Sequence, residues 1–192
     1  LSVLGTADAP VVLSSSNAVG TAGDWGGIAL DQNASLALSY AHLSYSGYGI
    51  KSLANFGGLR VTNSRLEFSG GGIRLENAPV QNGETVITDN VIDVGTADYA
   101  IYWYGCCDSS LPILNISRNI ISNAQGPGIY VRYAQQGLII DANTISVKTE
   151  GLNITRSAGV ITLTSNVLEN TDSSSAYWMK GSGIRLLNYD ST

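Results

Sequence analysis

Gly27-Ile28-Ala29-Leu30 is the first copy of a short phrase that returns along the whole chain. Later copies begin at Gly49, Gly72, Ala100, Gly128, Gly151 and Gly183, each with Ile or Leu at its second position. These second positions, the first column, are 22 to 32 residues apart. A phrase that recurs at this kind of interval indicates a repeat protein whose copies are structural units. We therefore expect residues 1–192 to form one repeat domain.

Two further apolar columns accompany the phrase. The second column contains Leu38, Val61, Ile87, Ile116, Ile140 and Leu163, and the third contains Leu43, Leu66, Ile92, Ile121, Ile145 and Leu168. Between them lies a turn column, which ends in Asn90, Asn119, Asn143 and Asn166. Because Asn tolerates the left-handed backbone conformation, we expect these residues to form the corner itself. Their side chains should stack and bond to one another along the axis.

Residues alternate in polarity around each column, as in Val160-Ile161-Thr162-Leu163-Thr164. Period two is typical of half-buried strands, and no stretch has a sustained helical period. Three short strands per repeat, each paired with the neighbouring repeats, predict an all-β parallel β-helix of about seven turns. Inserted residues fall at two corners, and the largest insertions are 78–84, 105–112 and 170–181.

Composition narrows the classes of function. A net charge of −5 argues against nucleic-acid binding, which normally requires a basic field. The low charged fraction of 13% and the 22 glycines are typical of an extracellular β-protein with many turns. No apolar run reaches the ~18–20 residues that cross a bilayer, so we expect no membrane insertion. Both ends fall inside strand-like runs, which favours a segment of a longer exported protein.

The cysteines and the histidine give little support to a metal site. Cys106 and Cys107 are adjacent and are the only cysteines, so they are either free thiols or a strained vicinal disulfide. His42 is the only histidine, which makes a zinc site improbable. No cofactor is predicted, and calcium remains an open alternative.

The columns and the Val-x-x-Asn-x-Ile spacing resemble those of the right-handed parallel β-helix proteins, the pectate-lyase-like superfamily. Residues 5–13 and 23–28 are similar to the first turns of large secreted or surface-anchored bacterial members. The resemblance covers nearly the whole chain and implies a right-handed solenoid. It implies no single activity, because the superfamily includes lyases, hydrolases, epimerases, phage tailspikes and adhesins.

The catalytic signatures of the superfamily's enzymes are missing from the sequence. It contains no Asp-Asp pair, no Gly-His-Gly and no Asp-Pro-His-Glu string, and Leu43 follows the single histidine. We expect His42 to point outward near a turn.

Glu67 and Asp93 are the candidate catalytic pair. Each follows a third-column residue, so both should point outward on adjacent strands ~4.8 Å apart. Retaining glycosidases hold two carboxyls about 5–5.5 Å apart, so this spacing is compatible with hydrolysis. A cation site and a solvated face are the alternatives.

The strands of the first column should carry the binding surface. If the column points inward, the residues one and three places later point outward. Tyrosine offers a flat apolar ring with a hydroxyl, and Arg and Glu offer directional polar contacts, so such a face suits a sugar chain, including an anionic one. Tyrosines that merely stabilise the sheet are the alternative. The predicted ligand-binding residues are Arg74, Glu76, Tyr102, Tyr104, Tyr130 and Arg132.

The three tryptophans have different expected places. Trp103 falls on an inward position and should belong to the core. Trp25 and Trp178 lie in loops, as lids or caps. The corner insertions that contain Cys106-Cys107 and Tyr177-Trp178 could wall a groove beside the tyrosines.

Three functions follow as hypotheses. The favoured one is an extracellular structural or surface module, such as an adhesin, stalk or filament segment, that binds a polysaccharide or surface glycan along its first sheet. The alternative is a polysaccharide-active enzyme, a lyase or glycoside hydrolase, with a groove over the same sheet. The third is end-to-end self-association through open sheet edges.

Overall fold

Twenty-one short strands follow one another along the chain and close into three parallel sheets of seven strands. The computed structural model describes residues 1–52, 54–67, 70–76, 83–95, 98–105, 112–172 and 183–187. None of the described segments is a helix with the length and hydrophobicity that a bilayer crossing requires.

Each sheet is built on one of the three apolar columns. The second sheet contains β1 (Ser2–Leu4), β4 (Ser35–Ser39), β7 (Gly58–Thr62), β10 (Thr85–Thr88), β13 (Leu114–Ser117), β16 (Gly137–Asp141) and β19 (Val160–Thr164). The third sheet contains β2 (Val11–Leu13), β5 (Ala41–Ser44), β8 (Arg65–Glu67), β11 (Val91–Asp93), β14 (Ile120–Ser122), β17 (Thr144–Val147) and β20 (Val167–Asn170). The first sheet contains β3 (Ile28–Leu30), β6 (Ile50–Ser52), β9 (Ile73–Glu76), β12 (Ile101–Tyr104), β15 (Ile129–Arg132), β18 (Leu152–Thr155) and β21 (Ile184–Leu187).

The strand register reproduces the predicted columns. In the first sheet Ile101 pairs with Ile73 on one side and with Ile129 on the other. In the second sheet Ile87 pairs with Val61 and Ile116, and the third sheet follows the same rule. The all-β parallel β-helix predicted from the sequence is confirmed.

The columns form the core of the solenoid. First-column side chains from Ile50 to Leu152 are at most 1% exposed, because strands from three sides enclose them. Trp103 is buried as predicted, and its ring meets Phe56 edge-on, with centroids 6.3 Å apart. Trp25 packs against the core and donates from Nε1 to the Ser44 carbonyl at 2.8 Å.

Glycine opens the phrase because successive turns approach closely there. A Cβ on Gly72 would lie 2.0 Å from the Ala100 carbonyl oxygen, and one on Gly27 only 1.6 Å from that of Tyr48. Gly27 also has φ of 87°, which side chains rarely tolerate. The small residue is therefore required by the neighbouring backbone.

The asparagines form the predicted ladder at the corner between the second and third sheets. Asn119 Oδ1 accepts from Asn90 N at 3.1 Å and from Asn90 Nδ2 at 3.0 Å. Asn119 Nδ2 donates to the Ile87 carbonyl at 2.8 Å and to Asn143 Oδ1 at 3.0 Å. Asn166 continues the pattern. The Asn119 side chain thus satisfies two buried backbone groups of the preceding turn and bonds to the asparagine side chains of the turns on either side, which is what buried polar groups require.

The left-handed corner residue is not the asparagine, and that prediction was wrong. Positive φ values of 48° to 61° occur one position earlier, at Tyr40, Asn63, Asp89, Arg118, Ala142 and Ser165. The left-handed residue turns the chain and keeps its side chain outside, so the next residue can direct its amide inward to the ladder.

The predicted insertions 78–84, 105–112 and 170–181 lie largely outside the described residues. The same holds for Cys106, Cys107, Tyr177 and Trp178. Their proposed disulfide, lid and groove-wall roles stay predictions.

Replacing Asn119 by Ala should lower the free energy of unfolding by about 3 kcal/mol, because several buried donors and acceptors lose their partner. Urea unfolding followed by tryptophan fluorescence measures the change. Asn55→Ala, at an exposed position, is the matched control and should stay within about 0.5 kcal/mol of the parent. Equal effects of the two variants would contradict a structural role for the ladder.

Candidate functional site

The outward face of the first sheet carries two parallel rows of polar and aromatic side chains. Pairing in register places equivalent positions side by side, ~4.8 Å apart. The upper row runs Lys51, Arg74, Tyr102, Tyr130, Asn153, Arg185. The lower row runs Glu76, Tyr104, Arg132, Thr155, Leu187. All six predicted ligand-binding residues therefore lie in these two rows.

Tyr102 and Tyr130 stack face to face. Their ring centroids are 5.1 Å apart and the planes are tilted by only 8°. Tyr99 leans against both rings, at 5.2 Å from Tyr102 and 5.4 Å from Tyr130. On the other side of Tyr102, the Arg74 guanidinium lies 5.2 Å from the ring centre. Because both faces of Tyr102 are covered, the stack presents ring edges and hydroxyl groups to a ligand rather than flat faces.

Arg74 is held by Glu76 as well as by the ring. Its Nε donates to Glu76 Oε1 at 2.8 Å, and this hydrogen bond raises the pKa of Arg74 above its usual value. Arg74 is one of the residues that line a pocket of about 160 Å³. Glycines 70–72 line this pocket together with Tyr48, Arg74, Asp98, Tyr99 and Tyr102.

A second cluster lies in the lower row and at the corner that follows it. The Arg132 guanidinium lies 5.3 Å from the ring centre of Tyr104 and 5.0 Å from that of Tyr133. Tyr133 has φ of 62°, which turns the chain out of β15. Arg156 occupies the equivalent corner after β18 and donates from Nη1 to Tyr133 Oη at 2.7 Å. Arg132 Nη2 donates to the same oxygen at 3.4 Å.

The pKa values of the tyrosines in the two clusters are shifted in opposite directions. The hydrogen bonds from Arg156 and then Arg132 stabilise the phenolate and lower the pKa of Tyr133 below its usual value. Burial disfavours the charged form and raises the pKa of Tyr102 and of Tyr99.

The carboxylate candidates are in register but are bound to other residues. Asp93 pairs with Glu67 as expected. The Glu67 carboxylate, however, is 7% exposed, lies 2.7 Å from His42 Nε2 and also accepts from Arg65. Asp93 Oδ1 accepts from Asn123 Nδ2 at 2.9 Å. His42 is on the outside as predicted, and its bond to Glu67 was not anticipated.

Metal-ligand clustering gives no further candidate. Among the residues that the structure describes, no group of three or more His, Cys, Asp or Glu side chains could hold a metal ion.

The candidate site also includes Tyr48, Tyr99, Tyr133 and Arg156, which the sequence does not predict. All four lie just outside the first-sheet strands, so the alternation rule does not reach them. A signal existed for one of them, because Tyr133 directly follows the outward Arg132. The direction of the Tyr133 side chain depends on the left-handed backbone conformation of this residue, which the sequence pattern does not predict.

Three parallel sheets around one core, with an aromatic and cationic face on one of them, define a parallel β-helix with a candidate ligand surface. The chain belongs to the family described as right handed beta helix region, which matches residues 26–191. No curated protein and no solved structure matches the chain. The family establishes the right-handed fold and leaves the role of this face to be argued from its residues.

Tyr133 should ionise at a lower pH than an ordinary tyrosine, whose pKa is ~10, because two guanidiniums stabilise its phenolate. Ultraviolet titration of the parent against Tyr133→Phe isolates its contribution. Arg156→Gln should move that ionisation upward, toward the usual value. If the difference between the parent and Tyr133→Phe titrations had its midpoint at or above pH ~10, the hydrogen bonds from the two arginines to Tyr133 would be contradicted.

Proposed function

We propose that the chain is an extracellular surface module of the β-helix class that binds a glycan on the first sheet, without catalytic turnover. The pocket beside Tyr99 and Tyr102 carries this proposal. It combines aromatic walls with hydroxyl rims, one cation and one carboxylate, which suits a ligand rich in hydroxyl groups.

The floor of the pocket favours a close approach. Glycines 70–72 line the pocket, so part of its wall is backbone that a ligand can contact. The volume of about 160 Å³ is well below the ~300 Å³ of pockets for drug-sized molecules, so it takes one small unit such as a single sugar ring. Open rows on either side of this unit leave space for a chain to continue along the axis.

The polar groups of the pocket are held before a ligand arrives. Arg74 is fixed by Glu76 and by the Tyr102 ring, and Tyr102 is fixed by Tyr130 and Tyr99. Rigid aromatic and guanidinium groups lose little conformational entropy on binding. The alternative, that the tyrosines only stabilise the sheet, does not account for Tyr99, which reaches the stack from outside the strands.

The enzyme alternative is disfavoured by the carboxylates of this face. Glu76 is bound to Arg74, and Glu67 and Asp93 are on the third sheet, where each has other partners. A separated pair of free carboxyls, which glycoside hydrolysis requires, is not present among the described residues of the first sheet.

Tyr48→Ala and Tyr99→Ala should each weaken glycan binding about tenfold, or 1.4 kcal/mol, because each removes a wall of the pocket. Calorimetric titration of neutral and acidic oligosaccharides that bind the parent measures the loss.

Tyr40→Asn is the matched control, because it removes a tyrosine from a distant corner while Asn tolerates the φ of 48° found there. Parent-like binding by both pocket variants would contradict the proposed site. Detection of new reducing ends or unsaturated products after incubation with these oligosaccharides would overturn the non-catalytic proposal in favour of the enzyme alternative.

A further inference from the structure

Three Asn-x-Ser/Thr tripeptides, the acceptor sequons for N-linked glycans, occur in the chain. They begin at Asn33, Asn115 and Asn153. An N-linked glycan is bulky and polar, so a folded protein can carry it only where the carboxamide nitrogen faces solvent. The fold places the three sequons in different surroundings, and these surroundings decide which of them can be an acceptor.

The sequon at Asn153 is enclosed. Asn153 lies in β18 on the upper row, between Tyr130 and Arg185 of the neighbouring strands, and is 7% exposed. Its Oδ1 and the Oγ1 of Thr155, the hydroxyl of this sequon, are both buried. A sugar attached to this side chain would collide with the side chains of the adjacent strands, so the native fold excludes a glycan here.

The sequon at Asn115 lies inside a strand that is paired on both sides. Asn115 is in register with Val86 of β10 and with Ile139 of β16. Ser117 Oγ donates to Asn115 Oδ1 at 2.6 Å, and Ser117 is only 3% exposed. The carboxamide is half-buried and the sequon hydroxyl is already engaged, which makes Asn115 a poorer acceptor than an asparagine in an exposed turn.

Asn33 has the surroundings that an acceptor requires. It lies in the turn between β3 and β4, where residues 31–33 and Ser35 are all exposed. Its backbone is fixed, because Asn33 N donates to the Asn55 carbonyl at 2.8 Å and φ is 60°, which asparagine tolerates. Among the described residues, neither the Asn33 carboxamide nor the Ser35 hydroxyl has a hydrogen-bond partner, so both are available to a transferase.

An acidic residue also precedes this sequon. Asp31 lies two positions before Asn33, whereas Ile113 and Gly151 occupy the equivalent place before the other two sequons. A transferase that reads an acidic side chain at this place in addition to the tripeptide would therefore act at Asn33 and at neither of the others.

We propose that Asn33 is the acceptor of an N-linked glycan that is transferred from a polyprenyl-pyrophosphate-linked oligosaccharide. The C1–O bond between the first sugar and the pyrophosphate breaks, a bond between C1 and Asn33 Nδ2 forms, Nδ2 loses one proton, and the lipid pyrophosphate leaves. This inference rests on the extracellular location in the proposed function and not on the pocket. Asn33 follows β3 at the exit of the first sheet, whereas the pocket glycines 70–72 precede β9 at its entry, so an attached glycan leaves the pocket open.

Secretion of the chain from a eukaryotic host tests the site, with a standard glycoprotein from the same cells as proof that transfer occurs. Intact mass spectrometry should show one glycan, and peptide-N-glycosidase should remove it and convert Asn33 to aspartate. No glycan on the secreted chain, or an occupancy of Asn115 or Asn153 that equals or exceeds that of Asn33, would overturn the proposal.

Two variants remove the acceptor in different ways. Asn33→Asp removes the carboxamide nitrogen but keeps a residue type that tolerates the φ of 60°, and Ser35→Ala removes the sequon hydroxyl. Each should lose the glycan mass completely. Asn55→Asp is the matched control, because it makes the same change at an exposed asparagine outside any sequon, and it should keep the glycan. Retention of the full glycan mass by either sequon variant would overturn the proposal.

The outcomes separate this proposal from the proposed function. A glycan at Asn33 on a chain with no affinity for any oligosaccharide would uphold the modification site and overturn the pocket. Oligosaccharide binding that Tyr48→Ala and Tyr99→Ala weaken, on a secreted chain that carries no glycan, would uphold the pocket and overturn the modification site.

Discussion

Each strand of the solenoid forms its hydrogen bonds with the strand one turn away, and it does so in register. A residue therefore lies beside its counterpart in the next repeat, ~4.8 Å away. Inside, this constraint turns repeated Ile, Val and Leu into continuous columns with almost no solvent exposure. At the corner it turns repeated Asn into a ladder in which the Asn119 amide bonds to two backbone groups of the preceding turn. The apolar columns and the asparagine ladder favour the same register, so the local residue preferences are consistent with the overall fold.

The same constraint acts on the outer face, where no core demands a particular residue. Tyr102 lies beside Tyr130 because their strands pair in register, and the rings stack for that reason. Arg74 and Arg132 extend along neighbouring rings in the same way. The solenoid thus places aromatic side chains and cations at regular intervals along its axis. This regular spacing is why we propose a repeating polymer such as a glycan as the ligand of this face.

The sequence predicts the fold well because repeats can be compared with one another. Column spacing is enough to identify the three sheets, the core position of Trp103 and the ladder from Asn90 to Asn166. It does not identify the left-handed corner, since Tyr40, Asp89, Arg118 and Ala142 share no chemistry. For the site, alternation finds the outward rows but misses Tyr99 and Tyr133, which turns bring back to the face. The His42–Glu67 bond is missed for another reason, because alternation says nothing about which neighbours a long side chain selects.

The register itself is open to one direct measurement. In protein with labelled isoleucine methyl groups, nuclear Overhauser contacts should link Ile73 to Ile101 and Ile101 to Ile129, because these side chains stack in adjacent turns. The chain of contacts should continue to Leu152 when leucine is labelled as well. Contacts from Ile73 to Trp103 in place of Ile101 would reveal a shift of two residues, which would separate Tyr102 from Tyr130 and contradict the account of both the core and the proposed binding face.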